Sequence, residues 1–220
     1  MEIEIPIFPL PDLVFFPHTL LPLHIFEPRY RQMVADCLKG DRQLAVVMLK
    51  PGWEQGYEGS APVHSVAGAG EIIKCERLDE GRYNILLRGK RRIRIAQELP
   101  SGKLYRVVRA VVLDEKEPQA GRAALGPGLE SLRSAYLRLL ETLGRKDARV
   151  QDKAVEMGAP GALIDRVASV AVPDPRVRQR LLETLDLQER LQITSSIVFD
   201  LLLLVTGGIK GTPIPKERLN

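Results

Sequence analysis

The sequence has few cysteines, few aromatic residues and no long apolar run, and each shortage excludes a class of protein. Its 220 residues include two cysteines and one tryptophan. Cys37 and Cys75 lie far apart and form no Cys-x-x-Cys pair, so both thiols are predicted to be free and neither a disulfide framework nor a zinc knuckle is expected. The longest apolar stretch, 197–205, contains Asp200 and is too short to span a bilayer.

The charge balance is also mild. Lys and Arg total 32 against 28 Asp and Glu, a formal net charge of +4, and so small an excess does not demand a nucleic-acid partner. Glu2 and Glu4 stand where a secretory signal would carry basic residues. We therefore predict a soluble, cytoplasmic protein whose apolar content, 45%, can form a sizeable core.

Proline, by contrast, is concentrated at the beginning of the chain. The prolines between residues 5 and 34 stand among large apolar residues: Pro6, Pro9, Pro11, Pro17, Pro22 and Pro28. Because proline fixes φ and has no N–H, no regular strand or helix is expected to run through all of these positions. The segment is predicted to cross a β-core in short extended pieces and to enter a helix at Pro28.

Apolar residues then recur with the period of strands up to about residue 118. The strand-like runs are 44–49, 69–77, 82–88, 91–95 and 105–113. Gly81 and Gly89 stand in connectors that are typical of hairpin turns. Several short strands with one early helix predict a small, bent β-barrel.

The period becomes helical in the second half of the chain. Helices are expected over 129–143 and 162–172, and two more after the N-caps Asp174 and Asp186. We therefore predict an α+β fold. Its parts are a β-barrel at 1–118, a linker at 119–128, a helical bundle at 129–208 and a disordered tail at 209–220.

The proline-rich opening contains three motifs: Ile7-Phe8-Pro9-Leu10, Phe16-Pro17-His18 and LPLHIFEPRY at 21–30. Together with 70–72, 81–85, 89–95 and 180–191, they resemble the N-terminal, substrate-binding domain of the Lon proteases, and in particular the short proteins that carry this domain alone. His18 stands where the family usually has glycine, so a turn of different shape is expected there. The resemblance covers about residues 3–206 and implies a PUA-like pseudobarrel followed by a helical bundle, with 1–208 forming one Lon N-terminal-like region.

We expect the residues of the opening motif to brace the fold. They are Phe16, Pro17, His24, Phe26, Glu27, Arg29 and Tyr30. An internal ion pair at Glu27 and Arg29 is preferred over acid–base catalysis, and His24 is interpreted as a structural histidine. The alternative for each is a functional role.

Recognisable catalytic and metal-binding motifs are missing from the sequence. There is no Gly-x-x-x-x-Gly-Lys-Ser/Thr phosphate loop and no Gly-x-Ser-x-Gly elbow. His18, His24 and His64 are scattered without the spacing of metal ligands. Full-length Lon proteases join this domain to an ATPase and a Ser-Lys peptidase, but the resemblance transfers no catalytic residue, cofactor or metal ligand to this sequence. We predict that the chain is not an enzyme, and a hydrolase with a site assembled from distant residues ranks last.

Two features are candidates for a binding surface. Arg88, Lys90, Arg92 and Arg94 alternate along one predicted strand and would project from one face, either as a solvated surface or as a stripe for acidic peptides or phosphates. Trp53 and Tyr57 lie in a glycine-rich loop, where they could pack partly buried or form a wall for a bound peptide.

The leading hypothesis is a non-catalytic module that binds unfolded or hydrophobic polypeptide segments, or a partner protein. The alternative is a nucleic-acid-binding protein that uses the Arg88–Arg94 strand, since PUA-like folds include RNA binders. No membrane partner is expected.

Overall fold

The computed structural model describes residues 1–56, 59, 61–145 and 159–207. Tyr57 and the predicted tail at 209–220 lie outside the described residues. The chain divides into two compact units, Met1–Asp114 and Glu115–Asn220. We call them the barrel unit and the helical unit and describe each by itself. This division lies four residues before the break expected at 118.

The described residues of the barrel unit form six strands and one α-helix. They are β1 (Glu2–Leu10), β2 (Leu20–Ile25), α1 (Pro28–Lys39), β3 (Gln43–Met48), β4 (Val66–Arg77), β5 (Tyr83–Leu99) and β6 (Val107–Leu113). The strand order is β2-β5-β4-β3-β1-β6, and an additional pairing of β5 with β6 closes five of the strands into a ring. The parallel pair β1–β3 is joined through β2 and α1. The predicted β pseudobarrel is confirmed.

Strand β5 corrects one prediction, because it runs without interruption through Gly89, where a hairpin turn was expected. Its first half pairs with β2 and its second half with β6. Along β4, Gly70 is opposite Gly89 while Ala69 is opposite Arg91, so Lys90 is the extra residue of a β-bulge.

Glycine is needed at this point because the segment 15–19 crosses the sheet in close contact with it. A Cβ atom on Gly89 would lie 2.1 Å from the carbonyl oxygen of Phe16, and one on Gly68 would lie 1.8 Å from that of Phe15. The N–H of His18 donates to the Gly89 oxygen at 3.0 Å. His18 has a φ of 60°, so it adopts the left-handed conformation that glycine would adopt at this turn.

Helix α1 begins at Pro28, as predicted, and buries one side against the barrel. Tyr30, Met33, Val34 and Cys37 lie on this side, at helical spacing. They join a core cluster with residues of the strands, such as Phe8. Burial raises the pKa of the Cys37 thiol to about 12, so this group is protonated at neutral pH.

The helical unit contains α2 (Gly126–Thr142), α3 (Pro160–Ala171), α4 (Pro175–Glu183) and α5 (Leu187–Val205). Asp174 and Asp186 cap α4 and α5 with their side chains, as the sequence predicts. The segment expected to be a linker is more regular, since Arg122–Leu125 forms a 3₁₀ turn and α2 begins at Gly126. Pro127 is compatible with this start, because the first helical turn needs no N–H from it.

A buried charge cluster lies among these helices. Arg190 of α5 is fully buried, and its Nε lies 3.3 Å from Oδ1 of Asp165, which is also fully buried in α3. The same guanidinium donates to Glu115 and, at 3.0 Å, to the carbonyl oxygen of Thr184. Gly161 leaves room for this cluster, because a Cβ there would lie 2.6 Å from Oε1 of Glu115.

Candidate polypeptide-binding surface

The predicted basic stripe on β5 is not a continuous exposed surface. Arg88, Lys90 and Arg94 are exposed, but Arg92 is 2% exposed and belongs to the interior. The β-bulge at Lys90 interrupts the regular alternation of faces between Arg88 and Arg92, whereas Arg94, two residues beyond Arg92, is exposed. The expectation that all four side chains share one face is therefore wrong.

Two of the exposed cations already have an anionic neighbour. Glu71 of β4 lies 3.3 Å from Arg88 and 3.2 Å from Lys90. The hydrogen bond from Lys90, with a second from Arg88, lowers the pKa of the Glu71 carboxyl below its ordinary value. Arg94 is six residues further along the strand, roughly 20 Å away. The cations therefore do not form a dense anion site.

The structure describes only one of the two aromatic residues of the predicted loop site. Trp53 begins a short 3₁₀ helix, Trp53–Gly56, and is half-buried. Its predicted companion Tyr57 lies outside the described residues. The role of this loop as one wall of a peptide site stays a prediction.

Several motif residues at the entry to α1 are packed or paired. Phe16 is fully buried and Pro17 is buried beside it. Glu27 and Arg29 form an ion pair at 2.9 Å, and the Arg29 guanidinium lies 4.5 Å from the centre of the buried Tyr30 ring. These contacts fix the backbone where β2 passes into α1.

His24 and Phe26 differ from that expectation, because both side chains point outward. Phe26 is 60% exposed although buried Ile25 precedes it. The rings of His24 and Phe26 are stacked, with centroids 6.1 Å apart. Nδ1 of His24 lies 2.8 Å from Oδ1 of Asn84 on β5, which fixes the imidazole at the surface.

A second exposed apolar side chain lies beside α1. Leu104, in the connection from β5 to β6, is 66% exposed, and its N–H donates to Oε1 of Gln32 at 3.1 Å. The next residue, Tyr105, donates from its hydroxyl to Asp36 of α1 at 2.9 Å. This hydrogen bond lowers the pKa of the Asp36 carboxyl, with Lys103 also contributing.

We use the name α1 surface for two pairs of exposed side chains at this helix: His24 with Phe26, which precede α1, and Gln32 with Leu104, at its second turn. It presents an aromatic and an aliphatic side chain on backbone that is held in place by ion pairs and hydrogen bonds. Such a surface can contact apolar side chains without reorganising. Among the described residues, no group of three or more His, Cys, Asp or Glu side chains is placed to hold a metal ion. None of the described helices is both long and apolar enough to cross a membrane.

A family model described as the ATP-dependent protease La (LON) substrate-binding domain matches residues 4–199. The chain belongs to this family. It is 26% identical over 204 residues to the Lon protease of Desulfosudis oleivorans, covering 92% of this chain and 25% of that protein. It is 27% identical over 206 residues to Lon protease 2 of Sorangium cellulosum, covering 89% of this chain and 24% of that protein. The chain thus spans about a quarter of the length of these relatives.

Two solved structures share the fold. The N-terminal domain of the Mycobacterium avium complex Lon protease has a TM-score of 0.66 at 19% identity, covering 90% of this chain and 98% of that one. The Lon N-terminal domain protein from Xanthomonas campestris has a TM-score of 0.59 at 18% identity, with coverage of 86% and 95%. The resemblance inferred from the opening motif is confirmed.

The sequence did not single out Leu104 or the outward position of Phe26. Phe26 stands in a run of apolar residues, where burial is the default expectation. The sequence signal that could have indicated its outward position is its place at the junction of two elements, one residue before an acidic side chain and two before Pro28. Leu104 carried no such signal, because its place beside α1 depends on contacts distant in sequence.

Proposed function

We propose that this chain is a non-catalytic polypeptide-binding module, which binds unfolded or hydrophobic segments through the α1 surface. Membership in a family described as substrate-binding makes a polypeptide the expected partner. The observation that carries the proposal is the 60% exposure of Phe26 on an otherwise fixed backbone. Aromatic side chains in such positions contribute strongly to protein interfaces.

The chemistry of the surface fits a partner that exposes apolar side chains. Phe26 and Leu104 offer apolar area, while Gln32 and His24 are polar groups beside them. The ion pair of Glu27 with Arg29 is internal, so little charge must be desolvated when an apolar segment binds. Binding is expected to be tolerant of sequence, because apolar contact is not directional.

The test is a binding titration with a permanently unfolded, fluorescently labelled protein, with its native form as the comparison. The wild-type chain should bind the unfolded form, and Phe26→Ala together with Leu104→Ala should weaken binding about tenfold or more. Leu203→Ala in the helical unit is the matched control, because Leu203 is similarly exposed at 57%. Equal binding by the wild type and the double variant would refute the α1 surface as the site.

The nucleic-acid alternative receives less support from the geometry. It required four cations on one face, but Arg92 is buried and Glu71 neutralises part of the charge of Arg88 and Lys90. The same titration with single-stranded RNA at low salt tests it directly, and tight, salt-sensitive binding would restore it.

A further inference from the structure

Strand β2 has one edge to which no other strand is hydrogen-bonded among the residues that the structure describes. It stands at the end of the sheet order and pairs only with β5, whereas the other five strands close into a ring. A strand edge presents a row of backbone N–H and C=O groups with which another extended chain can pair. We call this edge the free edge of β2, and its chemistry determines what can bind there.

The backbone groups of alternate residues of β2 lie on the free edge, because alternate residues of an antiparallel pair bond to the partner strand. The N–H of Gly89 in β5 donates to the oxygen of Thr19 at 2.9 Å, so Thr19 faces β5 and the next residue faces away. Pro22, which is opposite Leu86, has no N–H to give to β5, in agreement with this alternation. The outward groups are the N–H groups of Leu20 and His24 and the C=O groups of Leu20, Pro22 and His24.

The two faces of β2 differ, and they define the side-chain pattern that a partner strand needs. Leu21 and Leu23 are half-buried and pack against the core cluster of the barrel unit. On the opposite face, His24 is hydrogen-bonded to Asn84, whose amide donates to Glu76 of β4 at 3.4 Å. A strand with alternating apolar and polar residues fits both faces, because its apolar side chains would cover the two leucines and its polar ones would extend the polar row.

The other incomplete edge of the sheet is less suited to a partner strand. β3 pairs with β4 only up to Glu71, so the end of β4 has no strand on that side among the described residues. This end contains an extra residue relative to β5, Ile73, followed by charged side chains up to Arg77. Bulges and charges both disfavour strand pairing. The free edge of β2 has one such feature, Pro22, which removes a single donor.

We propose that the free edge of β2 binds an unfolded segment as an additional β-strand with alternating apolar and polar residues. This inference rests on the proposed function and adds the conformation and side-chain pattern of the bound segment. Phe26 follows β2 directly and its ring stacks with His24, so the edge leads to the α1 surface. A polypeptide is the occupant because its extended backbone repeats a donor and an acceptor every two residues, about 7 Å, as the edge does.

The experiment uses the full chain and a labelled nine-residue peptide that alternates valine and threonine, with a lysine at each end. Two further versions carry backbone N-methyl groups, one on its valines and the other on its threonines. Only alternate N–H groups of a strand face the neighbouring strand. One methylated peptide should therefore bind at least about tenfold more weakly than the other. Equal affinities of the two methylated peptides would overturn the proposal.

A variant of the chain should increase the affinity. Pro22→Ala returns the missing donor to the free edge and should strengthen binding of the unmethylated peptide about fivefold. Pro62→Ala is the matched control, because Pro62 is an exposed proline that bonds to Lys50 after β3, three strands from β2 in the sheet order. Its affinity should equal that of the wild type. No increase for Pro22→Ala would contradict the assignment to this edge.

The outcomes separate this inference from the proposed function. If unfolded protein binds but the two methylated peptides bind equally, the edge assignment fails and the proposed function stands. If neither the peptide nor unfolded protein binds, both fail. Light scattering tests the remaining occupant, a second copy of this chain. A wild-type dimer that Pro22→Ala strengthens, with no peptide bound, would overturn the assignment to a peptide.

Discussion

In the barrel unit a glycine makes room for the backbone of a crossing segment, whereas in the helical unit a glycine makes room for charged side chains. Gly68 faces the carbonyl oxygen of Phe15, and Gly161 faces the Glu115 carboxylate and the Arg190 guanidinium. The backbone of a packed strand cannot move without disturbing its neighbours, but the end of a side chain can rotate. The two units should therefore respond differently to the addition of one methyl group.

Their charge clusters differ in a complementary way. In the helical unit one base, Arg190, lies between two acids, and two members are fully buried. In the barrel unit one acid, Glu71, lies between two exposed bases. Burial makes an ion pair costly to break, while water screens an exposed one. The helical unit should thus depend on its charges, and the barrel unit on its glycines.

The largest effect is expected for Gly68→Ala. A Cβ 1.8 Å from the Phe15 oxygen requires the crossing segment or β4 to move. The free energy of unfolding of the barrel unit should therefore fall by more than about 4 kcal/mol, or the unit should fail to fold. Urea unfolding followed by the fluorescence of the single tryptophan, Trp53, measures this. Gly126→Ala is the control, since the added Cβ would have no heavy atom of a distant residue within 4 Å and the backbone at Gly126 is helical. An unchanged midpoint for Gly68→Ala would contradict the crossing.

The next largest effect is expected for Arg190→Met in the helical unit. Removing the arginine breaks its ion pair with the fully buried Asp165, at a cost of about 3–5 kcal/mol. Far-UV ellipticity during urea unfolding follows the helices. The double variant Asp165→Leu with Arg190→Met should recover much of the loss, because an apolar pair replaces the charges. No recovery would mean that Arg190 acts mainly through Glu115 and Thr184.

Gly161→Ala should have a smaller effect than Gly68→Ala and so sharpens the contrast between the units. The added Cβ meets Glu115 and Arg190 side-chain atoms at 2.6 and 2.8 Å. Glu115 is partly exposed and can rotate away, so about 1–2 kcal/mol is expected. The same ellipticity measurement applies, with Gly126→Ala again as the control. A loss as large as that of Gly68→Ala would show that the charge cluster is as rigid as the barrel crossing.

The sequence predicted those parts of the fold that local chemistry decides. Pro28 begins α1, and Asp174 and Asp186 cap α4 and α5, because these signals act within one helical turn. Gly89 was misinterpreted as a hairpin turn, since the reason for a glycine there is Phe16, far away along the chain. Arg92 was misplaced because neither its burial nor the β-bulge at Lys90 can be read from the local sequence.

The same limit applies to the candidate binding site. The α1 surface needs Leu104 to lie beside Gln32, a contact between distant residues. A cavity in the helical unit is lined by residues of α2, α3, α4 and α5, and the amphipathic pattern of any one helix does not predict it. The opening motif identified the family, but its two outward-facing rings, His24 and Phe26, became visible only with the fold.

The smallest effect is expected for Glu71→Gln, which removes the exposed acid of the barrel unit. Hydrogen bonds from Lys90 and Arg88 lower the pKa of the Glu71 carboxyl below its ordinary value. A lowered pKa in the folded state means that the carboxylate stabilises the fold above its unfolded-state pKa, and that this contribution is lost as the pH falls through the folded-state pKa. The wild type should therefore be slightly more stable than the variant at neutral pH. As the pH falls, the free energies of unfolding of the two proteins should become equal.

Urea midpoints from Trp53 fluorescence, taken at neutral pH and at successively lower pH, measure this convergence. Glu54→Gln is the control at neutral pH, because it removes an exposed carboxylate of the same unit and should leave the urea midpoint of the wild type unchanged. If Glu71→Gln lowered the stability at neutral pH as much as Arg190→Met does, the comparison of the two charge clusters would be contradicted. Exposure to water would then not explain why one unit depends on its charges and the other on its glycines.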